Sequence, residues 1–280
     1  MKKGLCVVGV LVLAAGLPLW GYDTSPSTWQ VVPEAIWAAA TGGGTWVTEL
    51  QITNLGSTAI SIGLFFDTAA GTGATILIGP IAAANSVKYS NILATMEALD
   101  SSGRVYYGNV GALYLYETSL TGLIQVQAQT VNGNYGKTFP GLNVVVGNTV
   151  ALGRPMMIQG LVRNATYRTS VGVYNPQGTT SYTLRFTIRN ATNGTVGAYF
   201  ERTLGPYGFS SFNPFVQAGI TTGDYDNCYL YVVATAGDSA ELAPMVYGSI
   251  ANNYTNDTYA LIAKQYSSGS TDAPAPPVRY

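Results

Sequence analysis

Thr45-Trp46-Val47-Thr48-Glu49-Leu50-Gln51-Ile52-Thr53-Asn54 and, about 120 residues later, Thr166-Tyr167-Arg168-Thr169-Ser170-Val171-Gly172-Val173-Tyr174-Asn175 fall into step. Aromatic, Thr, aliphatic and Asn positions coincide, and each stretch runs into a turn. After that turn, one residue longer in the second copy, Ile60, Ile62, Leu64 and Phe66 correspond to Tyr182, Leu184, Phe186 and Ile188. Outward residues such as Ser61 and Arg185 alternate with them, the period-2 signature of half-buried strands. Further along, Gly79-Pro80 matches Gly205-Pro206, and Asn134-Tyr135 matches Asn253-Tyr254, in the same order. A period of about 120 residues is too long for a solenoid repeat and suits a whole sandwich of roughly seven short strands. The sequence therefore predicts an all-β chain of two tandem, related β-sandwich domains of immunoglobulin-like type, at residues 22–150 and 151–266 and meeting across 147–155.

Composition agrees with that reading. The chain is 47% hydrophobic and only 10% charged, whereas globular chains carry about 25% charged residues. Its 20 Tyr and 33 Gly are the vocabulary of strands and turns. Helical signals are confined to residues 92–99 and 214–217, both placed as connections between strands. Ile124, Val126 and Ala128 alternate with Gln125, Gln127 and Gln129, which reads as one buried and one solvated sheet face.

Met1-Lys2-Lys3 followed by the apolar run 5–19 reads as a secretory signal peptide over residues 1–21, cleaved after Gly21; an uncleaved anchor is the alternative. Cleavage would leave the remainder near a net charge of about −3, with no basic patch for nucleic acid and no membrane segment. It would also leave Cys228 as the only cysteine, on the same strand face as Leu230 and Val232, since Cys6 lies in the leader. The tail 267–280, with Ser-Ser-Gly-Ser and Ala-Pro-Ala-Pro-Pro, reads as linker-like.

Gly42-Gly43-Gly44-Thr45-Trp46-Val47-Thr48-Glu49-Leu50 leading to Asn54 resembles the opening of a group of uncharacterised secreted bacterial proteins with tandem β-sandwich domains. The second copy resembles their second domain, through the run from Tyr167 to Asn175-Pro176 and through Tyr247-Gly248-Ser249-Ile250-Ala251-Asn252-Asn253-Tyr254-Thr255-Asn256-Asp257. The resemblance covers most of residues 33–263 and implies fold and secretion. It brings no activity, and so no functional residue.

The chain has no histidine, which removes Ser-His and Cys-His nucleophiles and imidazole-based zinc sites. A carboxylate pair remains as the route to glycoside hydrolysis. The candidates, Asp224 with Asp226 and Glu97 with Asp100, lie in turn-like sequence that explains them more simply, so the chain is read as non-catalytic and without a cofactor. Asp224, Asp226, Asn227 and Asp257 offer oxygen ligands for calcium, but without the spacing of an EF-hand. Sequons at Asn164, Asn190, Asn193, Asn253 and Asn256 mark exposed turns.

Two functions follow from this. The low charge and edge-rich fold point to an extracellular structural or adhesive protein, a subunit of a cell-surface or filamentous assembly that associates with itself or with other surface proteins. Strand addition by the N-terminal segment, anchored by Trp29, Val31, Ile36 and Trp37, is the expected joining mechanism. The alternative is a carbohydrate-binding module whose partner is a glycan, stacked on aromatics drawn from Trp29, Trp37, Trp46, Tyr106, Tyr107, Tyr135 and Tyr225.

Overall fold

The computed structural model describes residues 24–40, 43–144, 148–190, 194–240 and 242–265. The leader 1–21, Asn193 and the tail 267–280 lie outside the described residues. The all-β expectation holds. In the first half the strands are β1 (Trp29–Ala39), β2 (Thr45–Asn54), β3 (Ile60–Thr68), β4 (Gly71–Thr72), β5 (Ile76–Ile81), β6 (Ser86–Tyr89), β7 (Asn109–Glu117), β8 (Ile124–Asn132) and β9 (Tyr135–Pro140), with helix α1 (Ile92–Leu99) before β7. The second half repeats the series as β10 (Met156–Arg163), β11 (Tyr167–Tyr174), β12 (Tyr182–Asn190), β13 (Gly194–Thr195), β14 (Phe200–Leu204), β15 (Phe209–Phe212), helix α2 (Pro214–Gln217), β16 (Tyr225–Ala236), β17 (Met245–Asn252) and β18 (Thr258–Gln265). Both helices stand where the sequence placed them. Among the described residues none is long and apolar enough to cross a membrane.

Each half forms its own nine-stranded antiparallel sheet. In the first, β4 and β5 pair with β3, β3 with β7 and β7 with β1, while β6 and β8 flank β2 and β9 follows β8. The second reproduces these pairs, with β12, β16 and β10 in place of β3, β7 and β1, and β11, β17 and β18 in place of β2, β8 and β9, but its two layers connect through β10 and β18, where the first connects through β1 and β2. Each sheet doubles over to enclose a core. Leu64, Phe66, Leu113 and Leu115 from one layer meet Leu50, Ile52 and Val126 from the other. In the second half Leu184, Phe186, Leu230 and Val232 meet Val171, Val173 and Val246. All eight alternating positions predicted to face inward are buried. Gln127 and Gln129 are exposed, and Cys228 is a buried free thiol pushed up in pKa by that burial.

The aligned Thr and Asn positions explain how a sheet turns into a sandwich. β1 and β2 pair only at Ala38↔Trp46 and Ala39↔Thr45 before diverging into separate layers. Two positions further along that register Thr48 stands opposite Ile36, and the Thr48 hydroxyl accepts from the Ile36 N–H (2.8 Å) and donates to the Ile36 carbonyl (3.1 Å). Thr169 does the same for Val162, at 3.0 and 2.7 Å. A side chain thus bridges strands already too far apart to pair by backbone, and both threonines are fully buried. At the other end of the strand, Asn54 Nδ2 donates to the carbonyls of Thr58 and Ile81 while Oδ1 accepts from Gly56 N–H. Asn175 repeats the bracket with Thr180, Gly205 and Gln177.

The two halves share a third apolar cluster. Val31, Ala112, Phe139 and Leu142 from the first half pack with Tyr174, Phe209, Met245 and Tyr247 from the second. At its centre the Tyr174 hydroxyl donates to the buried Asp67 carboxylate across the junction. Burial pushes Asp67 above the ordinary carboxylate range, and the Tyr174 hydrogen bond draws it partly back.

Two outcomes are expected. Thr48→Val keeps the shape but strands one buried donor and one buried acceptor on Ile36, and should cost about 2–4 kcal/mol in urea unfolding. Thr48→Ser should cost less than half of that, and a loss in Thr48→Val under about 0.5 kcal/mol would show that the corner does not depend on the hydroxyl. Because the folded pKa of Asp67 is raised, its stability term is largest at low pH, where the group is neutral, and is lost as pH rises through the folded value. The Tyr174 bond supports the ionised form, so Tyr174→Phe should be more destabilising at pH 7 than at pH 4, by chemical denaturation at both values.

Candidate functional site

Strand alternation places Arg168, Ser170, Gly172 and Tyr174 on one face of β11, turned away from the core of the second half. Met245, Tyr247, Ser249 and Ala251 line up beside them on β17, through the pairs Tyr174↔Met245, Gly172↔Tyr247, Ser170↔Ser249 and Arg168↔Ala251. Gly172 is needed here, since a Cβ would lie 2.0 Å from the ring of Tyr247, which rests flat across the strand. Opposite stands a surface formed by β1, β7 and β9. One end of this junction is the apolar cluster around Tyr174 and Tyr247. Towards Arg168 the large side chains give way to Ser, Thr and Arg, and the halves part to leave a cleft of about 240 Å³.

The first half supplies Glu34, Ile36, Trp46, Val110, Thr130 and Lys137 to this cleft. Arg168, Ser170, Ser211, Ser249, Ala251 and Thr258 come from the second. Glu34 and Lys137 form an ion pair at 2.5 Å with each side chain only 9% exposed, and the Lys137 ammonium lies 5.5 Å from the centre of the Phe139 ring. Burial, and then the neighbouring Glu34 carboxylate, holds the Tyr247 phenol well above its ordinary pKa. Arg168 is held by two neutral acceptors, donating to Asn253 Oδ1 at 3.0 Å and Asn256 Oδ1 at 3.2 Å. Thr130 and Thr258 line the cleft, and their Oγ1 atoms are buried without a hydrogen-bond partner. Buried hydroxyls are ordinarily satisfied, and one left alone costs about 1–3 kcal/mol. Chemically the cleft offers hydroxyl donors and acceptors, one indole, a neutralised ion pair and a cation. Among its described lining residues Glu34 is the sole carboxylate.

The residues singled out in sequence are scattered. Trp29, Val31, Ile36 and Trp37 all sit within β1, paired with β7 from Trp29↔Tyr116 to Trp37↔Asn109. Val31 also exchanges backbone hydrogen bonds with Leu142 on the other side and is fully buried. In this placement β1 is engaged within its own half, and Ile36 lines the cleft. Tyr106, expected to be exposed, is fully buried and stacks on Phe66. Trp29 packs edge-on to Tyr114, Trp37 edge-on to Tyr107, and Tyr225 tilts onto Phe215. Of the proposed aromatic platform only Trp46 reaches the cleft.

The acids read as candidate catalytic groups organise loops. Glu97 accepts from the N–H groups of Tyr106 and Tyr107. Asp100 accepts from Ser102 N–H and from the Tyr106 hydroxyl, and hydrogen bonding by the Ser102 side chain first, then by these two groups, holds it below the ordinary carboxylate pKa. Asp226 accepts from Asn164 Nδ2. Among the described residues no group of three or more Cys, Asp or Glu is placed to hold a metal ion. Sequence reading missed Glu34, Thr130, Lys137, Arg168 and Thr258 as a set, because they come from five strands and meet only where the halves meet. The one local signal was the unusual outward face of β11, where Ser170 and Gly172 stand in place of larger residues.

No protein-family model matches the chain, and no curated protein matches it either. Among solved structures it is similar to the apo form of the lectin POL from Pleurotus ostreatus, at 9% identity over 92% of this chain and 91% of that one, with a TM-score of 0.23. It is also similar to β-glucuronidase 2 from Bacteroides uniformis covalently bound to cyclophellitol-6-carboxylate aziridine, at 8% identity over 88% of this chain and 31% of that one, with a TM-score of 0.14. At these scores neither likeness bears on what this chain binds.

Proposed function

We propose that the chain is a non-catalytic, extracellular glycan-binding protein whose site is the cleft between its two halves. The observation that carries this reading is a cleft lined by five hydroxyl side chains, Thr130, Ser170, Ser211, Ser249 and Thr258, with the Thr130 and Thr258 Oγ1 atoms buried in its wall without partners. A polyhydroxylated ligand matches the donors and acceptors of that wall. The Trp46 indole gives an apolar surface for the C–H face of a sugar ring. At about 240 Å³ the cleft falls below the ~300–1,000 Å³ of drug-sized pockets, which suits one ring of a glycan and not an enclosed oligosaccharide. A retaining or inverting glycosidase needs a second carboxylate across the site. Glu34 has none, and Lys137 neutralises it.

The competing reading is self-association into a surface assembly. It draws on the low charge of the chain and on three exposed leucines, Leu55, Leu120 and Leu123, on two adjacent connections of the first half.

A printed array of neutral and acidic oligosaccharides, probed with the purified protein, tests the glycan reading. Binding to a defined set of glycans is expected, weakened at least about tenfold in Trp46→Ala and in the near-isosteric Thr258→Val, with unfolding midpoints close to the parent protein. Loss of one good hydrogen bond to a ligand accounts for a change of that size. A protein that binds no glycan and sediments as a large oligomer would favour assembly instead.

A further inference from the structure

The charges around the cleft do not balance. Three charged residues line it, Glu34, Lys137 and Arg168. The first two neutralise each other in a buried pair. Arg168 forms no ion pair among the described residues; its guanidinium is fixed by two uncharged amide oxygens, Asn253 Oδ1 and Asn256 Oδ1. Two of its five N–H donors are used in this way, leaving three. The amides set the orientation of the fork without cancelling its charge, an arrangement that pre-organises a cation for an anionic partner. The rest of the protein carries a slight negative excess, so the cleft is a local exception to the charge of the chain.

We propose that the ligand is an acidic sugar, with its carboxylate received by Arg168 at the mouth of the cleft and its ring hydroxyls by the hydroxyl-lined wall within. This rests on the glycan reading and names its substrate class. The planar carboxylate of a uronic acid matches a guanidinium with coplanar donors to spare. A sulfate ester on a sugar presents related oxygen chemistry, and the test separates the two.

Titration calorimetry of the intact protein with a uronate oligosaccharide, its carboxyl-reduced neutral counterpart and a sulfated oligosaccharide decides among the possibilities. The uronate is expected to bind at least about tenfold more tightly than its neutral counterpart. That advantage should disappear in Arg168→Gln, survive in part in Arg168→Lys, and shrink as salt is raised. Tighter binding of the sulfated probe than of the uronate would overturn the assignment to a carboxylate. Equal affinity for the uronate and the neutral sugar, unchanged in Arg168→Gln, would overturn the acidic preference while leaving glycan binding intact. No heat with any of the three, together with an array free of binding, would overturn both.

Discussion

A β-sheet that doubles over on itself must let two neighbouring strands part, and the backbone groups at the parting point are buried before they can pair again. Unpaired, each would cost on the order of a kilocalorie or more. In this protein one threonine hydroxyl per half resolves that conflict, because it donates and accepts at once and reaches farther than a backbone group can. Thr48 spans the gap to Ile36, and Thr169 spans the gap to Val162. The layers, the cores between them and the outward faces that later meet each other all follow from where those strands diverge. The asparagine bracket at the far end of the same strand fixes the opposite corner. Strand β2, like β11, is therefore pinned at both ends by side chains and not by ladder alone.

The cleft is a consequence of the way the halves are joined. The face of β11 and β17 that closes on the first half begins with Tyr174, Met245 and Tyr247, large enough to seal it. Four to six residues further along the same strand faces the side chains are Ser170, Ser249 and Arg168, too small or too polar to fill the gap. At about 3.3 Å per residue this is a change from dry to wet over roughly 13–20 Å. The buried Glu34–Lys137 pair sits at the boundary, and the bond between Tyr174 and Asp67 ties the dry end together. A cleft anchored in this way has walls from two sheets but is held by one packed seam, so its width is set by the seam.

Much of the fold was legible in the sequence, and the reason is local. Alternation from Ile60 to Phe66 and from Tyr182 to Ile188 is a property of single strands, and the short helical runs at 92–99 and 214–217 are each opened by an asparagine cap, Asn91 and Asn213. The repeat added most of the pairing order, since the two copies keep the same neighbours except where β1 pairs with β2 and its counterpart β10 pairs with β18. What could not be read was any property of the junction. Tyr106 lies in an irregular, turn-rich stretch, and nothing in its neighbours says that its ring is roofed by Phe66 and its hydroxyl taken by Asp100. The segment holding Trp29 and Trp37 looked like a free arm because it precedes the first copy of the repeat motif. In the structure it is the strand on which that half closes. The candidate site residues are individually unremarkable hydroxyls and charges whose meaning depends on which sheets face each other.

The two halves also use equivalent faces differently, which bears on how far such a chain can associate. The second half is joined through the outer face of β15, β11 and β17. The corresponding face of the first half, on β6, β2 and β8, carries Glu49 paired with Lys88, Thr53 against Ser86, and the exposed Gln127 and Gln129. The joint is therefore head-to-tail, with unlike surfaces in contact, and a contact of that kind propagates without limit if each new copy presents the same pair of surfaces. Here it does not. The free counterpart on β2 and β8 carries, in place of Tyr174 and Gly172 of β11 and Tyr247 of β17, polar residues that pair among themselves or stand exposed. On the other side, the surface of β12 and β16 is capped by the pairing of Arg185 with Glu201 and by Arg189 lying over Tyr231. Each repeat thus keeps one adhesive face and one solvated face, arranged so that the adhesive pair is consumed inside a single chain. Any larger assembly would have to use surfaces other than the one that joins the halves.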